Sequence, residues 1–190
     1  ASVAAAALNT LNAKTTGVVT VQAATITGTA ADINTAYASI AAGTITGLGN
    51  EAVTLSDTGT IAAAILLTLD ALTTGMVNAA AVTTITGTAA DINTVYSSFG
   101  ISVLGNEAIT ITDAVTVAQA NAVNALTTEV VTGTISTGDM ATLAGLTETG
   151  NAYTVTVTDA SVAAAALNTL NAKTTGVVTV QAATITGTAA

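Results

Sequence analysis

The first 31 residues, Ala1 to Ala31 (ASVAAAALNTLNAKTTGVVTVQAATITGTAA), return letter for letter as the last 31, Ala160 to Ala190. An exact return at one offset constrains the fold more than any local motif. The same sequence must fit two places, so the structure is expected to stack similar units rather than to wrap one irregular core around a cleft. The offset of 159 residues is read as one period, with the chain carrying that period and the opening of the next.

Smaller units lie inside the period. Three strand-like segments end in Asp: VTLSD at Asp57, ITITD at Asp113 and VTVTD at Asp159. GLGNEAV (Gly47 to Val53) and VLGNEAI (Val103 to Ile109) precede the first two, and TGNAYTV (Thr149 to Val155) replaces them in the third. The expected organisation is one continuous segment, 1–190, with sub-repeats 1–57, 58–113, 114–159 and 160–190. The apolar centres Ile26, Leu55, Ile85, Ile111, Ile135, Val157 and Ile185 divide the period into six coils of 22–30 residues. That length suits one short strand plus one helix per coil. In the strands Val53 and Leu55 share a face opposite Thr54 and Ser56, and Ile109 and Ile111 oppose Thr110 and Thr112.

Ser2 to Lys14 and Thr60 to Leu72 carry apolar residues at helical spacing: Val3, Ala7, Leu8 and Leu11 in one, Ile61, Ile65, Leu69 and Leu72 in the other. Thr116 with Gln119 matches a capping box. Thr29 with Asp32 and Thr88 with Asp91 match it with Asp in place of Glu. Gly17, Gly75 and Gly176, each after two Thr, are read as marking helix ends. The fold class expected is therefore α/β, a repetitive parallel solenoid with one sheet running through six coils. A β-helix with Ala-rich loops is the fallback.

Composition narrows function. Apolar residues make up 51% of the chain and charged ones 7%, which argues against disorder. Lys14 and Lys173 are the only cations against 11 acids, so no nucleic-acid track or anionic-membrane patch can be assembled. Thr, Asn and Gly interrupt every apolar run before it reaches membrane-spanning length. With no His and no Cys, the usual general bases, thiol nucleophiles and soft metal ligands are missing, and the chain is expected not to be an enzyme. No signal peptide is visible, and the scarcity of trypsin sites suits exposure outside a cell.

The recurring Asp57, Asp113 and Asp159 are the weak candidate metal ligands. With Asn50, Glu51, Asn106 and Glu107 nearby they could supply oxygens to Ca²⁺. The competing assignment makes each Asp a cap on the segment that follows it, with no metal and no cofactor. The Thr ladders, Thr25, Thr27, Thr84, Thr86, Thr110 and Thr112, raise ice or crystal binding as an alternative, against the plain β-propensity of Thr. Tyr37 and Tyr96 hold the same place in DINTAY and DINTVY and are expected in the core. With Tyr153 and Phe99 they are the only aromatics.

At DASVAAAALNTLNAKTTG, TITGTAADINTxY and GLGNEAVTLSD the chain resembles tandem arrays in giant secreted cell-surface proteins of marine cyanobacteria, of the type linked to swimming. VTLSDTGTIAAAILLTLDAL resembles a wider bacterial repeat of the form SDTAANIAANLDAL. The resemblance implies an extracellular or cell-surface structural array: a stalk, filament or surface-layer component, adhesive or motility-associated. Its implied partners are neighbouring repeats, further copies of the chain and cell-surface polysaccharide. A calcium-binding adhesin region is the remaining alternative.

Overall fold

The computed structural model describes residues 1–187; the last three residues of the C-terminal copy, and with them the end of the 160–190 sub-repeat, lie outside the described residues. The elements begin β1 (Ser2–Ala4), α1 (Ala5–Lys14), β2 (Val19–Thr20), β3 (Thr25–Gly28), α2 (Ala30–Ala41), β4 (Ile45–Thr46) and β5 (Ala52–Leu55). They continue β6 (Gly59–Ala62), α3 (Ala63–Leu72), β7 (Val77–Asn78), β8 (Val82–Gly87), α4 (Ala89–Ser97) and β9 (Ile101–Ser102). The rest are β10 (Ala108–Val115), α5 (Val117–Asn124), β11 (Val131–Ile135), α6 (Met140–Leu143), β12 (Ala152–Val157), β13 (Ser161–Ala163), α7 (Ala164–Asn171), β14 (Val178–Val180) and β15 (Thr184–Thr186).

The chain divides into two units. One comprises Ala1–Ile85 with Thr94–Leu104; the other comprises Thr86–Asn93 and the described residues from Gly105 onward. In the first, β1, β3, β5, β7 and β9 form a parallel sheet, and β2 pairs with β4 in a separate one. In the second, β10, β11, β12 and β14 run in parallel order within a six-stranded sheet, and β13 pairs with β15 alone.

This overturns the uniform six-coil solenoid. Four sheets of five, six, two and two strands stand among the described residues where one continuous sheet was expected. Between most successive helices the chain makes two or three strands, not one, and sends them to different sheets; only α5 and α6 are joined by a single strand, β11. β2 pairs with β4 while β3 pairs with β1 and β5; β12 pairs with β11 and β14 while β13 pairs with β15. The cause is local. Ser2–Ala4 and Gly59–Ala62 carry the β-branched Val3, Thr60 and Ile61 and are extended. Helices α1, α3 and α7 start only afterwards, with Ala4, Ala62 and Ala163 as N-caps that make no side-chain cap bond. The ladder is further broken in β10, where the register to β11 shifts between Thr110 and Ala114.

Each unit packs its own core. In the first, Ile26, Ile33, Tyr37, Ile45, Val53, Leu66 and Val77 are buried; in the second, Ile92, Ile109, Val123, Leu143, Tyr153, Val155 and Val157. Helix α2 buries Ala30, Ile33, Ala36 and Tyr37, one stripe at helical spacing. In α3 the buried stripe is Ala63, Leu66 and Leu69, leaving Ile65 exposed, so the face expected from Ile61 and Ile65 is displaced. Strand alternation follows expectation at Val53 and Leu55, at Ile109 and Ile111, and at Val155 and Val157, all buried.

The functional expectations that rested on an extended array fall with it. A packed α/β fold with internal cores and unequal sheets is not a stalk, filament, surface-layer or motility element of stacked equivalent coils. Neighbouring repeats, self-association and polysaccharide drop out as partners for the same reason, and Tyr37 and Tyr153 are buried rather than displayed to a sugar. The ice-binding alternative also fails. Thr25, Thr27, Thr84, Thr86 and Thr110 are only half-exposed, Thr112 is exposed, and the six are split between two sheets rather than forming one flat open ladder.

Candidate functional site

The strand-end acids are the first candidates, and the structure puts each at a helix N-terminus. Asp57 Oδ2 accepts the N–H of Ala30, the first residue of α2, at 2.7 Å. Asp113 Oδ1 accepts from Ala89, the first residue of α4, at 2.9 Å. Asp159 Oδ2 accepts from Met140, the first residue of α6, at 2.8 Å. The helix capped is the one before the Asp, not the segment after it. Parallel register explains the direction: Gly28 pairs with Leu55, so two residues further on Asp57 stands beside Ala30. A second side chain completes each N-terminus. Thr29 accepts from the N–H of Asp32, Thr88 from Asp91 and Asp139 from Thr142. That last bond holds the Asp139 carboxyl below its usual range. Orphan N–H donors are satisfied and the helix dipole meets negative charge. At α5 both halves of the Thr116–Gln119 capping box form.

The calcium candidates therefore separate onto different helix ends. Among the described residues, no group of three or more His, Cys, Asp or Glu is placed to hold a metal ion. Glu51 and Glu107 are buried and tie their own turns: Glu51 Oε2 accepts from Gly49 N–H at 2.8 Å, and Glu107 Oε2 from Gly105 N–H at 2.9 Å. Asn106 donates to Glu129 Oε1 and accepts from the Thr128 hydroxyl, while Asn50 is exposed. The Tyr37 hydroxyl donates to Glu51 Oε2 at 3.0 Å. Burial pushes that phenol up to about 12, with the Glu51 carboxylate adding to the rise against the lowering contact of Thr73. Burial alone pushes Tyr153 up to about 12. Tyr96 is half-buried and Phe99 almost fully exposed.

A set of residues that composition and motif did not single out does much of the joining. The hydroxyl of Thr73 donates to the Glu51 carbonyl at 2.6 Å, that of Thr127 to the Glu107 carbonyl at 2.8 Å, and that of Thr174 to the Asn151 carbonyl at 3.0 Å. Each also accepts the N–H two residues on, from Gly75, Glu129 and Gly176, at 3.0 Å. The signal was the repeated Thr-Thr, followed by Gly at two of the three sites and by Glu129 at the other. At those two sites the glycine is required by close approach rather than by a helix end. A Cβ on Gly75 would lie 2.3 Å from the Glu51 carbonyl oxygen, and one on Gly176 2.3 Å from that of Tyr153, whereas Gly17 meets nothing nearer than 3.5 Å.

Two concavities belong to the second unit. One, about 380 Å³, is lined chiefly by Met140, Ala144, Ala166 and Leu170, with Lys173 at its side. The Lys173 ammonium is engaged by the carbonyls of Ala144 and Leu146, at the C-terminal end of α6. The other, about 370 Å³, is polar and is lined by Asn124, Thr127, Thr128, Glu129, Glu148 and Asn151 among others. No helix among the described residues is long and apolar enough to cross a membrane.

No family model, no curated protein and no solved structure matches the chain significantly. The likeness to giant surface-protein arrays and to SDTAANIAANLDAL repeats is corrected by the fold: it rested on short Ala- and Thr-rich phrases, and the chain folds around packed cores with unequal sheets instead.

Proposed function

We propose that the chain is a non-catalytic folded domain that works outside the cell. The observation that carries this is the use of its carboxylates. Asp57, Asp113 and Asp159 hold helix N-termini, and Glu51 and Glu107 hold turns, each through a backbone N–H. A carboxylate fixed in this way has an oxygen already committed to holding the fold, which suits it poorly to take a proton from a substrate. The scarcity of cations, Lys14 and Lys173 only, leaves few points for trypsin-like proteases and supports the external location.

Replacement of Asp57, Asp113 or Asp159 by Ala tests the first half. Each change is expected to lower stability by about 1–2 kcal/mol, the scale of a lost charged cap. A catalytic group predicts the reverse, because removing one commonly leaves stability unchanged or raised. Immunodetection in cell and medium fractions of the native organism tests the second half; confinement to the cytoplasm would contradict it.

A further inference from the structure

The apolar concavity of the second unit lies between α6 and α7, and the sequence explains why it stays open. Ala166, Thr169, Leu170 and Lys173 line one wall, the i, i+3, i+4, i+7 stripe of a single helical face. Opposite them α6 is one turn, Met140–Leu143, ended by Ala144 and Gly145, whereas α7 runs for eight residues. Ala141 and Ala144 on that side end at Cβ, as does Ala166 across from them, so little side chain reaches into the space. Leu170, 2% exposed, is the buried part of the wall. Close-packed interiors leave few voids larger than a water molecule. This one is about 380 Å³, within the range of small-ligand sites, about 300–1,000 Å³.

One side of this apolar space is charged. Lys173, one of two cations in the chain, donates its ammonium to the carbonyls of Ala144 and Leu146, beyond the C-terminal end of α6. Those bonds hold the charge at the groove. An ammonium has three N–H donors; among the described residues two are engaged, which leaves one for a ligand. No Asp or Glu lines the space. Asp139 and Asp159 are bonded to the N–H groups of Thr142 and Met140. Charge complementarity therefore selects an anionic head, and the wall selects an apolar tail. The formal charge of −9 opposes any anion at long range, but at ~0.15 M salt that field is screened beyond about 8 Å, and an ion pair with Lys173 is made well inside it. We propose that this groove binds a single-chain aliphatic carboxylate, its head on Lys173 and its chain against Met140, Ala166 and Leu170. The assignment stands whether or not the chain is exported.

Nuclear magnetic resonance titration of the full chain with sodium octanoate tests it, with octyltrimethylammonium and octanol as the competing chemistries. Octanoate is expected to shift the amides of Ala141–Leu146 and Ala166–Lys173 saturably. Those of Ala7–Lys14, the identical residues of the first copy, should stay in place. Affinity should rise about fourfold for each methylene added between hexanoate and octanoate. Lys173→Met should weaken binding about tenfold or more. Ala141→Leu should abolish it by filling the groove; Ala141 is exposed and helical, so that variant keeps the core and decides the matter even where Lys173→Met fails to fold. No saturable shift by ~10 mM octanoate, weaker than the millimolar scale of the feeblest specific binding, would overturn the proposal. So would an undiminished response in Ala141→Leu or in folded Lys173→Met, equal shifts by the cationic or the neutral chain, or equal shifts in both copies.

Discussion

The two copies of the 31-residue sequence make the same local structure and bury opposite sides. Helix α1 starts at Ala5 and α7 at Ala164, the same position in each copy, and the flanking strands match as well. Burial does not match. Ile26 is 0% exposed and its twin Ile185 57%; Leu170 is 2% exposed and its twin Leu11 51%. In the first copy the covered residues are those that face the chain that follows, where β3 pairs with β5 and β2 with β4. In the second they face the chain that precedes, where β14 pairs with β12. Sequence alone thus decides which residues turn helical or extended. Which of them become core is decided by what packs beside them.

Matched substitutions should expose this asymmetry, since each pair shares every local neighbour. The largest effect is expected at the aliphatic pairs. Ile26→Ala and Leu170→Ala should each cost about 2–5 kcal/mol in urea unfolding, and Ile185→Ala and Leu11→Ala no more than about 0.5. Next come the threonines. Thr174 is buried and its hydroxyl bridges Gly176 N–H, Tyr153 N–H and the Asn151 carbonyl, so Thr174→Val should cost about 1–3 kcal/mol. Thr15 is exposed, bonded only to Gly17 N–H, and Thr15→Val should be near neutral. The glycines differ in sign. Gly176→Ala forces a Cβ against a carbonyl and should destabilise by about 1–3 kcal/mol. Gly17→Ala meets only an ordinary contact with Thr15 Oγ1 at 3.5 Å and should be neutral or stabilise by up to about 1 kcal/mol. Equal effects within any pair would break the comparison at that position.

The same asymmetry explains what could be seen from residues alone. Alternation in VTLSD, ITITD and VTVTD located buried faces correctly, because period two is a property of the strand itself. The Thr116–Gln119 box was legible because a cap is local. The number of sheets was not. Strands such as Val19–Thr20 or Val77–Asn78 are too short to carry a pattern, and sheet membership depends on distant partners. The three Asp were recognisable as caps but not the helices they cap, since that needs the Gly28–Leu55 register.

Amide hydrogen exchange on the unmodified protein tests the central claim most directly, because it reads both copies in one sample without any substitution. In parallel ladders alternate N–H groups point to opposite neighbours. Val19 and Val21 donate forward to the Thr44 and Thr46 carbonyls, so Gln22 lies in the outward-facing phase. In the second copy Gln181 donates back to the Val157 carbonyl, which leaves Val178 and Val180 facing the open edge of β14. Protection should therefore invert between identical sequences: slow exchange at Val19, Val21 and Gln181, fast exchange at Val178, Val180 and Gln22. The same pattern of slow and fast amides in both copies would contradict the account.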